Sequence, residues 1–183
     1  MGYEAALKKS WDEFLALECG HSLSVRFLTD EYAVQPGERK ILGLACNVPA
    51  KDFTVILILH YLVRKIKGLP PVSGVWLPFR EVAGIEGYYA AFKKRSIEPI
   101  IRKYGNNPAA LLAAAERFGA RRFEGEGSSV IIDMFEGVPV LIKLWPADDE
   151  FGPDANIFFD SSIAGIFPIE DIVVLAGIIA ARI

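Results

Sequence analysis

The sequence predicts an α+β protein, a single globular domain over residues 1–183 in which a mostly antiparallel sheet packs against several helices. Three observations support this class. Apolar residues recur at helical spacing in several segments, three strand-like runs lie close together in the second half, and helices and strands are grouped instead of strictly alternating. With 183 residues and 52% hydrophobic content, the chain is long and apolar enough to form a core.

The first 70 residues contain two helical patterns that flank three short extended runs. Tyr3, Leu7 and Trp11 begin the apolar stripe of the first helix. Gly68 and Pro70 end the second helix, because glycine favours a helix end and proline cannot continue one. The predicted elements are the helix Tyr3–Cys19, the strands Leu23–Leu28, Tyr32–Gln35 and Lys40–Cys46, and the helix Lys51–Lys67.

The second part of the chain is punctuated by prolines and glycines. Pro78 interrupts the extended segment Trp76–Val82 and predicts that this segment is a sheet edge or an irregular loop, and not a central strand. Pro99 is expected to kink or split the helix Gly84–Tyr104, and Asn107 is placed to cap the next helix. The remaining predicted elements are the helix Pro108–Phe118, the strands Ser128–Phe135, Val138–Trp145 and Asn156–Asp160, and the helix Pro168–Arg182.

Charge and composition exclude several classes of protein. A net charge of −3 and a pI near 5.5 argue against a nucleic-acid surface, which needs clustered Lys and Arg to neutralise phosphates. The longest apolar run, Ile172–Ala181, is well short of the roughly 18 residues of a membrane span, so no span is expected. The amphipathic N-terminus does not resemble a secretory signal. Two isolated cysteines, Cys19 and Cys46, fit a reduced cytoplasmic protein.

The densest polar chemistry lies in an acidic turn, predicted over Pro146–Ala155 between two strands. This turn carries four carboxylates, Asp148, Asp149, Glu150 and Asp154. One interpretation is a solvated turn in which Asp149 or Asp154 caps backbone groups. A second is a site for a divalent cation or a cationic partner, because hard cations take oxygen ligands. The third is an acid/base pair, which requires a desolvated carboxylate with a raised pKa.

Aromatic residues bracket the acidic turn. Trp145 and Phe151 are candidates to line a ligand cleft together with the carboxylates, although such aromatics more often anchor a turn to the core.

A second candidate cluster contains Arg80, Glu81, Tyr88 and Tyr89. Two glycines near the predicted helix start would expose backbone N–H groups to an anion, and the alternative is a tight turn followed by a capped helix. The pattern is neither a phosphate loop nor a dinucleotide fingerprint. Arg80 is also a candidate to pair with the acidic turn, which would unite the two clusters into one site.

Other catalytic or metal-binding patterns are weak. His60 lies in an apolar helix, where a core or near-core histidine with one hydrogen bond is expected. Because His21 is the only other imidazole, no histidine metal site is expected. The serines lack the Gly-x-Ser-x-Gly elbow of a nucleophile, and the cysteines lack a recognisable base partner. No pattern indicates a cofactor.

Four stretches in order resemble an uncharacterised prokaryotic family, the domain of unknown function 3786. They are ILHYLV (Ile58–Val63), SGVWLPFREVAGIEGYYAAF (Ser73–Phe92), LWPADDEFGPDANIFFD (Leu144–Asp160) and FPIEDIVVLAG (Phe167–Gly177). The resemblance covers residues 53–183, whereas residues 1–50 match less well. The family pattern tends to have proline directly after the Glu-Phe pair, and here Gly152 intervenes before Pro153.

The resemblance implies a fold and motif positions without an established activity. Relatives often lie beside iron–sulfur and corrinoid-linked one-carbon proteins of anaerobes, although this chain carries no cluster-binding cysteine set. We therefore expect a cytoplasmic, non-catalytic accessory protein that binds a protein partner or small ligand near the acidic turn and the segment Arg80–Tyr89. The alternative is a small enzyme that uses Asp148, Asp149 or Glu150 as acid/base or metal ligands. The apolar content leaves room for a homo-oligomer.

Overall fold

The structure is a computed structural model that describes residues 3–18, 22–82, 87–125 and 127–183. It confirms the α+β class, with helices and two antiparallel sheets. The chain divides into two compact units, Met1–Pro70 and Pro71–Ile183. The predicted antiparallel pairing is confirmed, and the strands are divided between two sheets, one in each unit. That residues 1–183 form a single globular domain stays a prediction.

The first unit contains a four-stranded meander in the order β1-β2-β3-β4 between two helices. The predicted third strand, Lys40–Cys46, ends earlier, because the chain turns after Gly43 and pairs back as a short fourth strand. The elements are α1 Glu4–Leu15, β1 Leu23–Phe27, β2 Asp30–Gln35, β3 Lys40–Gly43, β4 Val48–Pro49 and α2 Asp52–Lys67.

Helix α1 packs against helix α2, and Trp11 and Phe14 of α1 are buried. Helix α2 is buried at residues 54–59 and 61–63, as expected for a helix with apolar residues around most of its circumference. His60 Nε2 lies 3.0 Å from the hydroxyl of Ser10, which is itself buried and donates to the Ala6 carbonyl. His60 is therefore a near-core histidine with a hydrogen-bond partner in the same unit.

The second unit is built on a five-stranded antiparallel sheet in the order β5-β9-β8-β7-β6. Strand β5 lies at a sheet edge, as Pro78 predicted, while β7 and β8 have their predicted bounds. Strand β9 begins at Asp154, two residues before the predicted start. The strands are β5 Trp76–Pro78, β6 Arg121–Arg122, β7 Ser128–Phe135, β8 Val138–Trp145 and β9 Asp154–Asp160.

The helical region after β5 contains a π turn. Its helices α3 (Tyr89–Phe92) and α4 (Glu98–Tyr104) are joined by the π turn Lys93–Ile97, and the predicted start of the helix falls on residues 83–86, outside the described residues. Pro99 explains the wider turn, because it lacks an N–H and its ring would clash with the carbonyl of Arg95 in a regular helix. The remaining helices are α5 Pro108–Glu116 and α6 Ile169–Arg182.

Two local features of these helices follow from sequence and length. Asn107 Oδ1 accepts a hydrogen bond from the Ala110 N–H at 3.3 Å, which is the predicted cap of α5. Throughout the described ranges, every helix falls short of the length and apolar content that a membrane-spanning helix requires.

Alternation along the strands gives the five-stranded sheet two different faces. The core face carries a buried aromatic stack in which the rings of Phe79 and Phe92 lie 4.1 Å apart and nearly parallel, with Phe159 beside them. The buried strand residues of this face include Val130, Ile132, Val140, Ile142, Leu144, Ile157 and Phe159. The outer face carries half-buried side chains, among them Trp76, Lys143, Trp145, Asn156 and Phe158.

The carboxylate of Asp160, at the end of β9, holds the loop that precedes β5. Asp160 is 1% exposed. It accepts hydrogen bonds from the Ser73 N–H and hydroxyl (both 3.0 Å), the Gly74 N–H (2.7 Å) and the Ser162 N–H (3.0 Å). Burial raises the pKa of Asp160, but the hydrogen bonds from Ser162, Ser73 and Gly74 outweigh this effect and lower the pKa to about 2.

We expect Asp160→Asn to lower the free energy of unfolding by about 2 kcal/mol at neutral pH. The side-chain NH₂ group of asparagine cannot accept the hydrogen bonds that one of the two carboxylate oxygens accepts. Urea denaturation measures this loss. Asp154→Asn is the matched control on the same strand, since Asp154 is exposed and accepts only from the Ala155 N–H in this structure. A loss in the control as large as that in Asp160→Asn would contradict the assignment.

The same interaction predicts a pH dependence. A carboxyl group whose pKa is lower in the folded state stabilises the protein fully above its ordinary pKa of about 3.9. For Asp160 this contribution disappears as the pH falls from that value towards about 2. We therefore expect the difference in unfolding free energy between the natural chain and Asp160→Asn to shrink in acid. A difference that stays constant from pH about 6 to about 2 would contradict the low pKa.

Candidate functional site

The acidic turn between β8 and β9 is closed by its own first aspartate. Asp148 Oδ1 accepts hydrogen bonds from the Glu150 N–H at 2.9 Å and the Phe151 N–H at 2.7 Å. The Asp148 N–H in turn donates to the Phe151 carbonyl at 2.9 Å. The hydrogen bonds from Phe151 and Glu150 lower the pKa of the Asp148 carboxyl group. The turn therefore has a defined backbone conformation that depends on one side chain.

The predicted acidic turn is corrected in length and in its capping residue. The turn spans residues 146–153, because Asp154 and Ala155 pair with Trp145 and Leu144 as part of β9. Asp148 caps the turn, in place of the predicted Asp149, and Asp154 accepts a hydrogen bond from the Ala155 N–H at 2.9 Å. Asp148, Asp149 and Glu150 are all exposed. Within the described ranges, no group of three or more His, Cys, Asp or Glu side chains is arranged to hold a metal ion.

Two close contacts fix the ends of the acidic turn. A Cβ atom on Gly105, at the end of α4, would lie 2.6 Å from the Ile101 carbonyl oxygen and only 2.8 and 2.9 Å from side-chain atoms of Pro153. A Cβ atom on Gly127, whose φ is +77°, would lie 2.5 Å from the Leu144 carbonyl oxygen and 3.4 Å from the Trp145 ring. The half-buried Trp145 and Pro153 thus rest against backbone that only glycine allows to approach so closely.

Phe151 behaves differently from Trp145. Its side chain is 70% exposed, the highest exposure among the large hydrophobic residues that the structure describes. Trp145 is half-buried, whereas the expectation that Phe151 anchors the turn to the core is wrong. The turn presents Phe151 to solvent beside the exposed carboxylates of Asp149 and Glu150.

The Arg80–Tyr89 cluster has its own internal contacts. The Arg80 guanidinium lies 3.9 Å from the centre of the half-buried Tyr89 ring, which is a cation–π contact. The Tyr88 hydroxyl donates to Glu170 Oε1 at 2.6 Å, and this bond raises the pKa of Tyr88 and lowers that of Glu170. Glu81 is exposed at the end of the 3₁₀ turn Phe79–Glu81.

The predicted pairing of Arg80 with the acidic turn does not form in the structure. Arg80 stacks on Tyr89 instead, and between the described residues no hydrogen bond or ion pair joins Arg80 to Asp148, Asp149 or Glu150. Both predicted clusters lie in the second unit, and no hydrogen bond or ion pair joins their described residues. Gly84, one of the glycines proposed to expose N–H groups, lies outside the described residues.

The outer face of the sheet contains a cluster that sequence patterns did not single out. Lys143 Nζ lies 5.1 Å from the centre of the Phe123 ring and 5.3 Å from that of Phe158. The ring of Trp76 packs edge-to-face on Phe123, with centres 6.2 Å apart. The sequence signal for this cluster was Lys143 itself, the single charged residue in the otherwise apolar strand Val138–Trp145. The rings come from three other segments, so their convergence on Lys143 was not visible in the sequence.

Gly105→Ala should disturb both the end of α4 and the acidic turn, because the added methyl group would clash with the Ile101 carbonyl oxygen and with Pro153. We expect a loss of about 1–3 kcal/mol in unfolding free energy, typical of an overpacked contact, measured by chemical denaturation. Gly152→Ala is the matched control within the turn, since a Cβ atom there meets no atom within 4 Å. Equal stability of the two variants would show that the contact between Gly105 and Pro153 does not hold the turn.

Comparisons with known proteins add a family and no activity. No significant match was found to a curated protein or to a solved structure. The family model described as "Domain of unknown function (DUF3786)" matches residues 15–182, including most of the N-terminal region that the quoted motifs did not cover. Because this match spans nearly the whole chain, the protein belongs to the DUF3786 family.

Proposed function

We propose that this chain is a non-catalytic binding protein that recognises a protein partner through Phe151 and the acidic turn. One observation carries the proposal. A phenylalanine that is 70% exposed sits on a turn whose backbone is held by hydrogen bonds to the Asp148 carboxylate. An aromatic side chain on a pre-ordered loop is a typical anchor residue at a protein interface.

The energetics of such an anchor favour binding. Leaving a large apolar side chain in water forgoes roughly 1.5–3 kcal/mol that burial in a partner would recover. Because Asp148 already orders the backbone around Phe151, little conformational entropy is lost when the turn is bound. The contacts of Trp145 and Pro153 at the two ends of the turn add to this order.

The charges around Phe151 indicate the chemistry of the partner. Asp149 and Glu150 are exposed, and in the described part of the chain neither forms an ion pair. A partner surface with complementary charge would place Lys or Arg around an apolar pocket that receives the phenyl ring. We therefore expect binding to weaken as the ionic strength rises, because exposed charges are screened by salt.

The geometry supports the enzyme alternative less well. A general acid or base that works near neutral pH needs a raised pKa, usually from burial. Asp148 is exposed, and its hydrogen bonds from Phe151 and Glu150 lower the pKa of its carboxyl group. Asp149 and Glu150 are exposed as well. The turn lacks the desolvated carboxylate that the enzyme interpretation requires.

The setting of this interaction is part of the proposal. On the basis of the family resemblance, the partner would belong to anaerobic corrinoid or iron–sulfur metabolism, in the cytoplasm of a prokaryote. A second copy of the chain is the other partner that the sequence suggests. Sedimentation of the purified protein over a range of concentrations distinguishes the two, because only self-association makes the apparent mass depend on its own concentration.

Phe151→Ser should weaken partner binding without destabilising the protein, since the side chain is mostly exposed. The purified chain is used to capture proteins from cells of its source, and the Kd of each purified candidate is then measured by calorimetry. We expect Phe151→Ser to weaken the interaction about tenfold or more, as for an interface hot spot.

Val72→Ser is the control variant, because Val72 is also exposed (49%) but lies before the loop held by Asp160. It should leave the Kd unchanged. If Phe151→Ser binds every captured candidate as tightly as the natural chain, the acidic turn is not the binding surface. If the natural chain captures no candidate with a measurable Kd and does not self-associate, the proposed function is wrong.

A further inference from the structure

We propose that the outer face of the five-stranded sheet binds a planar aromatic ligand that carries an anionic group, with Lys143 pairing to the anion and Phe158 and Trp76 contacting the ring. This site is separate from the Phe151 surface and does not rest on the function proposed above. It is a site for a small ligand, whereas the acidic turn is proposed to bind a protein.

Strand register brings the proposed residues onto one face. Lys143 on β8 lies opposite Asn156 on β9, and Phe158 follows two residues later on the same side of β9. Trp76 on the edge strand pairs with Asp160, the next position of that row. The four side chains of Lys143, Asn156, Phe158 and Trp76 are all half-buried, so they remain partly accessible to solvent.

The charge of Lys143 points to an anion. Its ammonium group lies over the Phe123 and Phe158 rings, and among the described residues it forms no ion pair with a carboxylate. Three acidic side chains lie on the neighbouring strands of this face. Asp133 is paired with Arg121 at 3.1 Å, the buried Asp160 accepts from Ser73, Gly74 and Ser162, and the exposed Asp154 accepts from the Ala155 N–H. A partly desolvated ammonium group without an ion-pair partner gains a strong, charge-assisted hydrogen bond when an anionic group binds.

The aromatic rings point to a planar ligand. Phe158 lies beside Lys143, and Trp76 joins the cluster through its edge-to-face contact with Phe123. Aromatic side chains on a sheet surface stack well against flat rings. An anionic substituent on a ring that contacts Phe158 would lie near the ammonium group, since Lys143 Nζ is 5.3 Å from the Phe158 ring centre. On the same face Leu141 is completely buried.

Two pairs of probes test the ligand class by calorimetry on the full chain. Adenosine monophosphate is compared with adenosine, and 2-naphthoate with 2-naphthalenemethanol. In each pair, only the first compound carries an anionic group. Ribose 5-phosphate supplies an anion without an aromatic ring. We expect at least one anionic aromatic probe to bind with a Kd below about 1 mM. Its neutral counterpart and ribose 5-phosphate should each bind at least about tenfold more weakly.

Variants assign the binding to this face. Lys143→Met should lower the affinity for the anionic probe about tenfold and leave the affinity for the neutral probe unchanged. Phe158→Leu should lower the affinity for both probes. Lys51→Met is the matched control, because Lys51 Nζ also lies over a ring, that of Phe53 at 5.9 Å, in the other unit. Thermal unfolding establishes that each variant is folded before binding is measured.

Two results would overturn the inference. If neither anionic aromatic probe binds below about 1 mM, the face does not select this ligand class. If Lys143→Met binds as tightly as the natural chain, or if Lys51→Met loses as much affinity as Lys143→Met, the ligand binds elsewhere. Loss of partner binding in Phe151→Ser with retained probe binding would separate this site from the surface on the acidic turn.

Discussion

The buried carboxylate of Asp160 is the interaction on which the second unit depends most. A charge that is 1% exposed is tolerated only when hydrogen bonds replace its lost hydration, and Asp160 receives them from Ser73, Gly74 and Ser162. The bonds from Ser73 and Gly74 connect segments that are 87 and 86 residues apart in the chain. They hold the loop before the edge strand against the end of β9, and they begin the 3₁₀ turn Ser161–Gly165.

Strand β9 connects this rigid end to the two surfaces proposed for binding. Asp160 fixes one end of the strand, and the acidic turn enters the other end at Asp154. Between them, Phe158 contributes to the ring contacts of Lys143 on the outer face, while Phe159 packs in the aromatic core. A strand held by hydrogen bonds at one end and by core packing along one face is a suitable scaffold for exposed recognition residues.

Carboxylates in this protein serve structure more clearly than catalysis. The acidic turn has the highest density of carboxylates, yet its members are exposed, and the one with a specific role, Asp148, orders the turn itself. Asp160 is a carboxylate that is removed from water, and its hydrogen bonds stabilise the charged form. Both effects lower pKa values, which is opposite to the requirement for an acid/base residue at neutral pH.

The sequence by itself determined the α+β class, the exact bounds of β7 and β8, the cap of α5 at Asn107 and the edge position of β5. These features depend on local periodicity and on proline and asparagine chemistry, which act over a few residues. Only the tertiary structure decided the Ser73–Asp160 hydrogen bonds, the approach of Pro153 to Gly105 and the rings around Lys143. Contacts between distant segments depend on how faces pack, and neighbouring residues do not encode them.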